Sequence, residues 1–208
     1  MLTLLILAGV TVFLVFKLRD VLGTKTGHEK PPQSVTRSQE PERSAPVEVI
    51  EEPSEDLDDP ARDAISKMRE IEPDFSPSGF VSGARKAYEM LLMAYENGDK
   101  QTLETYLSPD VYQGFAQAID DRADQGLTVD ARFVGLREAE ITGARFDDED
   151  SVAEIDMRFV GELVMVVRDT EHRIVEGDPN EVRREYDTWT FGRKMGSSDP
   201  NWLLIATE

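Results

Sequence analysis

Apolar residues are distributed along this chain in three successive regions. The first sixteen residues, Met1–Phe16, carry no charged side chain. Residues 29–60 are rich in proline and acidic side chains and contain no aromatic residue. From residue 61 onward, apolar residues recur first with helical spacing and then with the shorter spacing of strands. The pattern therefore predicts an apolar N-terminal segment, a polar connector and one folded domain.

The apolar N-terminal segment favours an uncleaved membrane anchor over residues 1–22. Sixteen helical residues extend about 24 Å, and the leucines and valine up to residue 22 lengthen that path toward the ~30 Å of a hydrocarbon core. No basic residue precedes the run and no Ala-x-Ala follows it, so a cleaved secretory signal is the weaker interpretation. An amphipathic or buried segment is the third. The residues predicted to lie in the bilayer include Leu2, Leu4, Leu5, Ile6, Leu7, Val12, Phe13, Leu14 and Phe16.

The charges that follow the anchor predict its orientation. Lys17, Arg19, Lys25 and Lys30 all lie on its C-terminal side. Because basic flanks stay on the cytoplasmic side of a membrane, the sequence predicts a single-pass protein of the inner (cytoplasmic) membrane, with its C-terminal domain in the cytoplasm. Residues 23–60 would then be a disordered tether, since they hold too little apolar surface to offset chain entropy.

The first part of the domain shows four helical patterns. Residues 60–71 place Ile65, Met68 and Ile71 on one face. A longer helix is predicted after Ser76-Pro77, a capping residue followed by proline, and it ends before Gly98. Shorter helices follow Asp99 and Ser108-Pro109, the second ending near residue 126. On the long helix, Gly83 and its neighbour Ala84 would let another element approach closely.

The second part of the domain shows strand-like spacing. Extended segments are predicted at residues 128–146 (bent near Arg137-Glu138), 151–168, 174–175, 182–194 and 201–207, separated by polar turns. Helices followed by consecutive strands indicate an α+β domain. We expect a curved antiparallel meander with the helices packed on one face, spanning residues 61–208.

The composition of the chain argues against several classes of function. The net charge of −19 argues against binding to nucleic acid and against a broad electrostatic hold on anionic lipid. Residues 61–208 alone carry 17 basic and 31 acidic side chains, a net charge of −14, which favours cationic partners. The chain contains no cysteine, and therefore no disulfide, thiolate nucleophile or cysteine-ligated zinc.

Residues suited to catalysis or metal binding do not form a recognisable motif. The two histidines, His28 and His172, lie far apart outside any ligand spacing. The acidic run Asp147–Asp150 lacks the spacing of a calcium loop and is interpreted as a solvated turn. No phosphate-binding or nucleophile-elbow motif is present. An enzyme that uses a pair of carboxylates is therefore the least favoured interpretation, and we predict neither a cofactor nor a metal.

Several large apolar residues of the domain are candidates for either a core or a ligand pocket. A helix-on-sheet cone often retains an apolar pocket at its open end. The core interpretation is favoured, and the pocket interpretation stays open. The residues concerned are Tyr88, Leu92, Tyr95, Phe115, Trp189 and Trp202.

Several segments, in order along the chain, resemble the Tim-forty-four-like (Tim44-like) family. The stretch Leu22-Gly-Thr-Lys-Thr-Gly-His-Glu after the anchor is similar to its membrane-anchored bacterial members. The other segments are Phe80-Val-Ser-Gly-Ala-Arg-Lys-Ala-Tyr-Glu, Asn97-Gly-Asp, Leu107-Ser-Pro-Asp-Val-Tyr-Gln-Gly-Phe, Val175-Glu-Gly-Asp-Pro, Trp189-Thr-Phe and Asp199-Pro-Asn-Trp-Leu-Leu-Ile-Ala-Thr. The resemblance covers residues 1–30 and about 75–208.

The resemblance implies a cone-like α+β fold similar to nuclear transport factor two, and no catalytic residues. Mitochondrial members dock a heat-shock seventy chaperone onto a protein-import channel at the inner membrane. Their lipid contact is attributed to the first helices, which correspond to residues 60–97 here. The basic residues available there are Arg62, Lys67, Arg69, Arg85 and Lys86.

The leading hypothesis is a membrane-tethered, non-enzymatic adaptor. It would recruit a protein partner to the inner membrane, namely a chaperone, a translocating chain or a membrane protein complex. The alternative is a small-molecule or lipid-binding module that uses an apolar pocket of the cone.

Overall fold

The computed structural model describes residues 57–208, which form four helices followed by five strands. The helices are α1 (Asp59–Ile71), α2 (Pro77–Asn97), α3 (Lys100–Tyr106) and α4 (Pro109–Asp124). The strands are β1 (Thr128–Asp147), β2 (Val152–Arg168), β3 (Ile174–Gly177), β4 (Arg183–Lys194) and β5 (Leu203–Thr207). This mixture of helices and an antiparallel sheet agrees with the α+β class predicted from the sequence.

The helices begin at residues that satisfy otherwise unpaired backbone amides. The side chains of Asp58, Ser76, Asp99 and Ser108 accept hydrogen bonds from N–H groups in the first turns of α1 to α4, respectively. Helix α2 ends at Gly98, whose φ of 70° lies in the left-handed region that favours glycine. Helix α1 begins two residues before the domain boundary predicted at residue 61, because Asp58 caps it.

The strands form one antiparallel sheet in the order β1-β2-β4-β5. A simple meander would place β3 between β2 and β4. Instead, β4 pairs with β2 over residues 152–163, and β3 pairs with the same strand at residues 166–168. The two segments therefore occupy the same side of β2, with the Asp178–Val182 interruption between them.

Strand β1 is bent by irregularities in its register with β2. One of them lies between Leu136 and Glu138, at the bend predicted from the sequence. Extra residues on one strand increase the local twist and curve the sheet. The curved face receives the helices, since α1 and α2 both pack against β1.

The core lies between this face and the helices. Alternate residues of β2, namely Ala153, Ile155, Met157 and Phe159, are fully buried. Helices α1, α2 and α3 contribute Met68, Tyr88, Leu91 and Leu103 to the same core. The junction of α3 and α4 is attached to β5, because Ser108 N–H donates to the carbonyl of Leu204 over 2.9 Å.

The predicted anchor and nearly all of the predicted tether lie outside the described residues. Within residues 57–208, no helix combines the length and apolar character that crossing a bilayer requires.

Candidate functional site

An open groove of about 500 Å³ runs along the N-terminal half of helix α2. Its floor consists of small residues on one face of that helix, including Gly79, Gly83 and Ala87. Residues four apart lie above one another on a helix, so their small side chains leave a continuous trough. A Cβ atom added at Gly83 would meet no other atom within 4 Å. The trough is therefore open at this position.

Aromatic side chains form the walls of the groove. Phe80 meets Trp202 edge-on, with ring centroids 4.8 Å apart and an interplanar angle of 69°. It also meets Phe191 of β4 edge-on at 5.9 Å. Phe75, from the loop before α2, lies 6.1 Å from Trp202, and Tyr106 lines the groove from α3. The groove thus offers an aromatic surface assembled from five parts of the chain.

The wall that contains Trp202 is backed by charged residues. The guanidinium carbon of Arg193 lies 5.4 Å from the centroid of the Trp202 ring. Arg193 is itself paired with Glu72, the residue that ends α1. Both carboxylate oxygens of Glu72 are used, because the second accepts a hydrogen bond from Gly196 N–H at 2.8 Å.

The polar groups that line the groove do not form a catalytic pair. Among residues 57–208, Asp74 is the one carboxylate and Lys86 the one cation that line the groove. The Ser76 hydroxyl oxygen caps α2 by accepting from Gly79 N–H. With one carboxylate, an apolar floor and aromatic walls, the arrangement is suited to binding apolar side chains or hydrocarbon rather than to acid–base chemistry. Within residues 57–208, no group of three histidine or acidic side chains is placed to hold a metal ion.

Of the six residues predicted to line a pocket, Trp202 alone lines this groove. Tyr88 and Trp189 lie inside the core, where their ring centroids are 4.8 Å apart. Tyr95 and Phe115 join α2 to α4, with centroids 5.0 Å apart. Leu92 is half-buried against the core. The structure therefore does not bring the six together.

The sequence prediction missed Phe75, Phe80, Met90 and Tyr106 as lining residues. A signal that could have indicated them is the spacing of small residues on α2, which includes Gly79, Gly83 and Ala87. Phe80 follows Gly79 and lies at the border between the trough and the core, where it is 9% exposed. Tyr88 lies about two helical turns further on, along the same buried side of α2, and is fully buried.

Most basic residues of the first two helices are engaged within the domain. Lys67 pairs with Asp148 at 2.7 Å, and Arg62 pairs with Asp59 at 3.4 Å. Arg69 donates to the carbonyl of Phe75 at 3.3 Å. Lys86 lines the groove.

Comparison with known proteins shows which family this domain resembles. Residues 61–208 match the model of the Tim44-like domain. The chain is 26% identical over 149 residues to the human mitochondrial import inner membrane translocase subunit TIM44, covering 71% of this chain and 30% of that protein. It is 24% identical over 132 residues to subunit TIM44-1 of Arabidopsis thaliana, covering 62% and 27%. The chain thus spans less than a third of the length of these relatives.

Among solved structures, the intermembrane space region of chloroplast protein ARC6 superposes with a TM-score of 0.38 at 14% identity, covering 60% of this chain and 94% of that one. The family match spans both the helical half and the sheet described above. By this match, the chain belongs to the Tim44-like domain family.

Proposed function

We propose that this protein is a membrane-tethered, non-enzymatic adaptor that recruits a protein partner to the inner membrane in connection with protein translocation. The partner is a chaperone of the heat-shock seventy class or another translocation component, and its apolar side chains enter the groove along α2. The observation that carries the proposal is the groove itself, which is apolar, aromatic-walled and without a catalytic pair.

Family membership supports the link to translocation. Both relatives compared above are subunits of a mitochondrial import inner membrane translocase. The family model matches residues 61–208 of this chain, which contain the groove. The net charge of −14 over residues 61–208 favours a partner with basic residues around its apolar contact, because complementary charge raises the rate of encounter.

The proposed mechanism is effective concentration. An anchor over residues 1–22 and a tether over residues 23–60 would hold the domain within a few tens of ångströms of the membrane, since about 38 flexible residues have a root-mean-square extension of roughly 35 Å. A partner bound weakly by the groove is then retained beside membrane complexes by proximity. No chemical step is required.

Site-specific photocrosslinking in intact membranes tests the proposal. A photoreactive phenylalanine replaces Met90 in the groove or, as a control, Gln113 on the exposed surface of α4. We expect a discrete adduct from position 90 only, with a translocation component identified by mass spectrometry. The adduct should disappear with Gly83→Leu, which fills open space in the trough, and persist with Gly114→Leu, which adds the same side chain to open space on α4. Equal adducts from both positions would contradict the proposal.

A second candidate function is a binding module for a small molecule or a lipid chain, and the volume and apolar lining of the groove favour it. Native mass spectrometry of the purified chain, compared with Gly83→Leu, tests it. A co-purified apolar ligand that is present in the parent and absent from Gly83→Leu would support this function. A parent without any ligand would count against it.

A further inference from the structure

An ion pair behind the groove connects three segments of the chain. Glu72 lies at the end of α1, and Arg193 lies near the end of β4. Arg193 donates to one oxygen of Glu72, and the N–H of Gly196 donates to the other over 2.8 Å. Glu72 thereby attaches the end of α1 both to β4 and to the turn that follows it, which leads to Trp202.

Arg193 also contacts this turn near the groove. Its Nη1 atom donates to the carbonyl of Pro200 over 3.1 Å, and its guanidinium lies against the indole of Trp202. Pro200 and Trp202 both line the groove. Arg193 therefore contacts two parts of the wall without lining the groove itself.

The charge of the Arg193 guanidinium is balanced by Glu72. The Arg193 side chain is 10% exposed, and its Nε atom is buried without a hydrogen-bond partner. Glu72 is the carboxylate paired with it. Without that carboxylate, a nearly buried cation would lack its counter-charge, which is a strongly unfavourable arrangement. Arg193 would then move toward water and leave the indole.

We propose that Glu72 and Arg193 are positioning residues for the groove. The ion pair holds the turn before β5 so that Trp202 stands opposite Phe80 as a wall, and the pair thereby sets the shape of the groove from outside it. This inference rests on the proposed function, in which the groove is the surface that binds the partner. Loss of the pair removes Trp202 from the aromatic wall while the floor on α2 remains.

Fluorine NMR of the full chain in detergent, labelled with 5-fluorotryptophan, tests the position of Trp202 directly. The chain contains two tryptophans, so Trp189 in the core serves as an internal reference, and Trp202→Phe assigns the resonances. We expect Glu72→Gln and Arg193→Lys to shift or broaden the Trp202 resonance and to leave that of Trp189 unchanged. Lysine retains the charge of arginine but lacks the planar surface that stacks on indole.

The affinity of the groove for the neutral fluorescent probe N-phenyl-1-naphthylamine provides the second measurement. We expect Glu72→Gln and Arg193→Lys to weaken probe binding about tenfold, the size expected for one lost aromatic contact. The matched control is Arg158→Lys, since Arg158 is likewise paired with carboxylates, Glu138 and Glu140, but on the exposed side of the sheet. Because Gly83→Leu fills the trough, a loss of probe affinity in this variant shows that the probe occupies the groove.

The outcomes separate this inference from the proposed function. An unchanged Trp202 resonance in both variants would overturn the inference, regardless of any change in probe affinity. A general loss of structure would move the Trp189 resonance as well and would also count against it. If the Trp202 resonance and probe affinity change as expected while the crosslink from position 90 is unaffected, the positioning role stands and the groove is not the partner-binding surface.

Discussion

The hydroxyl of Tyr88 on α2 donates a hydrogen bond of 2.7 Å to the Asp187 carboxylate on β4. Tyr88 is completely buried, and its ring stacks on Phe159 of β2 with centroids 4.6 Å apart. A single side chain thus packs a helix onto one strand and attaches it through a polar contact to the next. A buried hydroxyl without a partner would be costly, so Asp187 is what permits tyrosine at this point in the core.

Replacing Tyr88 with phenylalanine retains the ring and removes the hydroxyl. We expect Tyr88→Phe to lower the free energy of unfolding by about 1–3 kcal/mol, because the Asp187 carboxylate loses a donor in a partly buried place. Urea unfolding followed by circular dichroism measures the change. The control is Tyr112→Phe at a partly exposed position on α4. Equal effects of the two substitutions would contradict the expectation.

The same tyrosine should make the domain sensitive to alkaline pH. Burial, followed by the nearby charge of Asp187, raises the pKa of Tyr88 well above its ordinary value of 10.0. The folded state therefore holds this proton more tightly than the unfolded state, and the associated stability is present below pH 10 and lost as the pH rises further. Between pH 9 and about 11, we expect the parent to lose more stability than Tyr88→Phe, as measured by urea unfolding.

Glu96 at the end of α2 should make the stability of the domain depend on pH above 4.5. Burial raises the pKa of its carboxyl above the ordinary value of 4.5, and the positive charge of Arg122 only partly opposes this shift. Stability linked to the bound proton is therefore present below pH 4.5 and decreases as the pH rises through the folded-state value. We expect the stability of Glu96→Gln, relative to the parent, to increase from pH 4.5 to pH 7 in urea titrations. The exposed Glu104→Gln should show no such trend, and a flat difference for Glu96→Gln would refute the expectation.

Arg122 should contribute far more stability than an exposed arginine. It pairs with Glu96 at 3.3 Å and donates to the carbonyls of Tyr95 and Glu96 at 3.0 and 2.9 Å, so it caps the end of α2. We expect Arg122→Ala to cost about 3 kcal/mol, because it leaves a buried carboxylate unpaired. Arg62→Ala, which removes an exposed pair on α1, should change stability by less than about 0.5 kcal/mol.

A double variant isolates the cause of the Arg122 effect. Adding Glu96→Gln to Arg122→Ala removes the unpaired charge, so the double variant should be more stable than Arg122→Ala alone. If Glu96→Gln restores no stability, the stability lost in Arg122→Ala comes from the missing helix cap rather than from the buried charge.

Gly161 on β2 should not tolerate a side chain. A Cβ atom there would lie 2.5 Å from the Tyr88 hydroxyl oxygen and 2.9 Å from a ring carbon, and the surrounding core leaves this ring little room to move. We expect Gly161→Ala to destabilise the domain by about 2 kcal/mol, as measured by thermal unfolding. Gly135→Ala on β1, where no atom lies within 4 Å, should be neutral or slightly stabilising. A neutral Gly161→Ala would show that the Tyr88 ring moves aside.

Local chemistry made the helices and most of the strands predictable. The pairs Ser76-Pro77 and Ser108-Pro109 begin α2 and α4 as expected, because capping and the fixed φ of proline act within a single turn. The bend of β1 near Arg137 was predictable for a similar reason. Its apolar alternation changes phase within the strand itself.

The position of β3 was not predictable from such signals. Its residues have the composition of a strand, but composition does not specify where along β2 a short strand pairs, or that β4 pairs with β2 as well. The sequence predicted a meander, whereas β3 lies beyond the end of the β2–β4 ladder. The early departure of β4 from β2 at Leu163 leaves the last residues of β2 available for it.

By itself, the sequence determined the α+β class, the family and the capping residues Ser76, Asp99 and Ser108 that begin α2, α3 and α4. The caps depend on contacts a few residues apart. The tertiary structure decided which aromatic residues lie wholly inside the core and which also line the groove. Tyr88 meets Asp187 across 99 residues of chain, and Glu72 meets Arg193 across 121. The periodicity of apolar residues carries no information about such distant pairs, because they depend on the orientation in which the helices pack on the sheet. In the orientation that the structure shows, Tyr88 is fully buried, and Phe80 and Trp202 line an open groove.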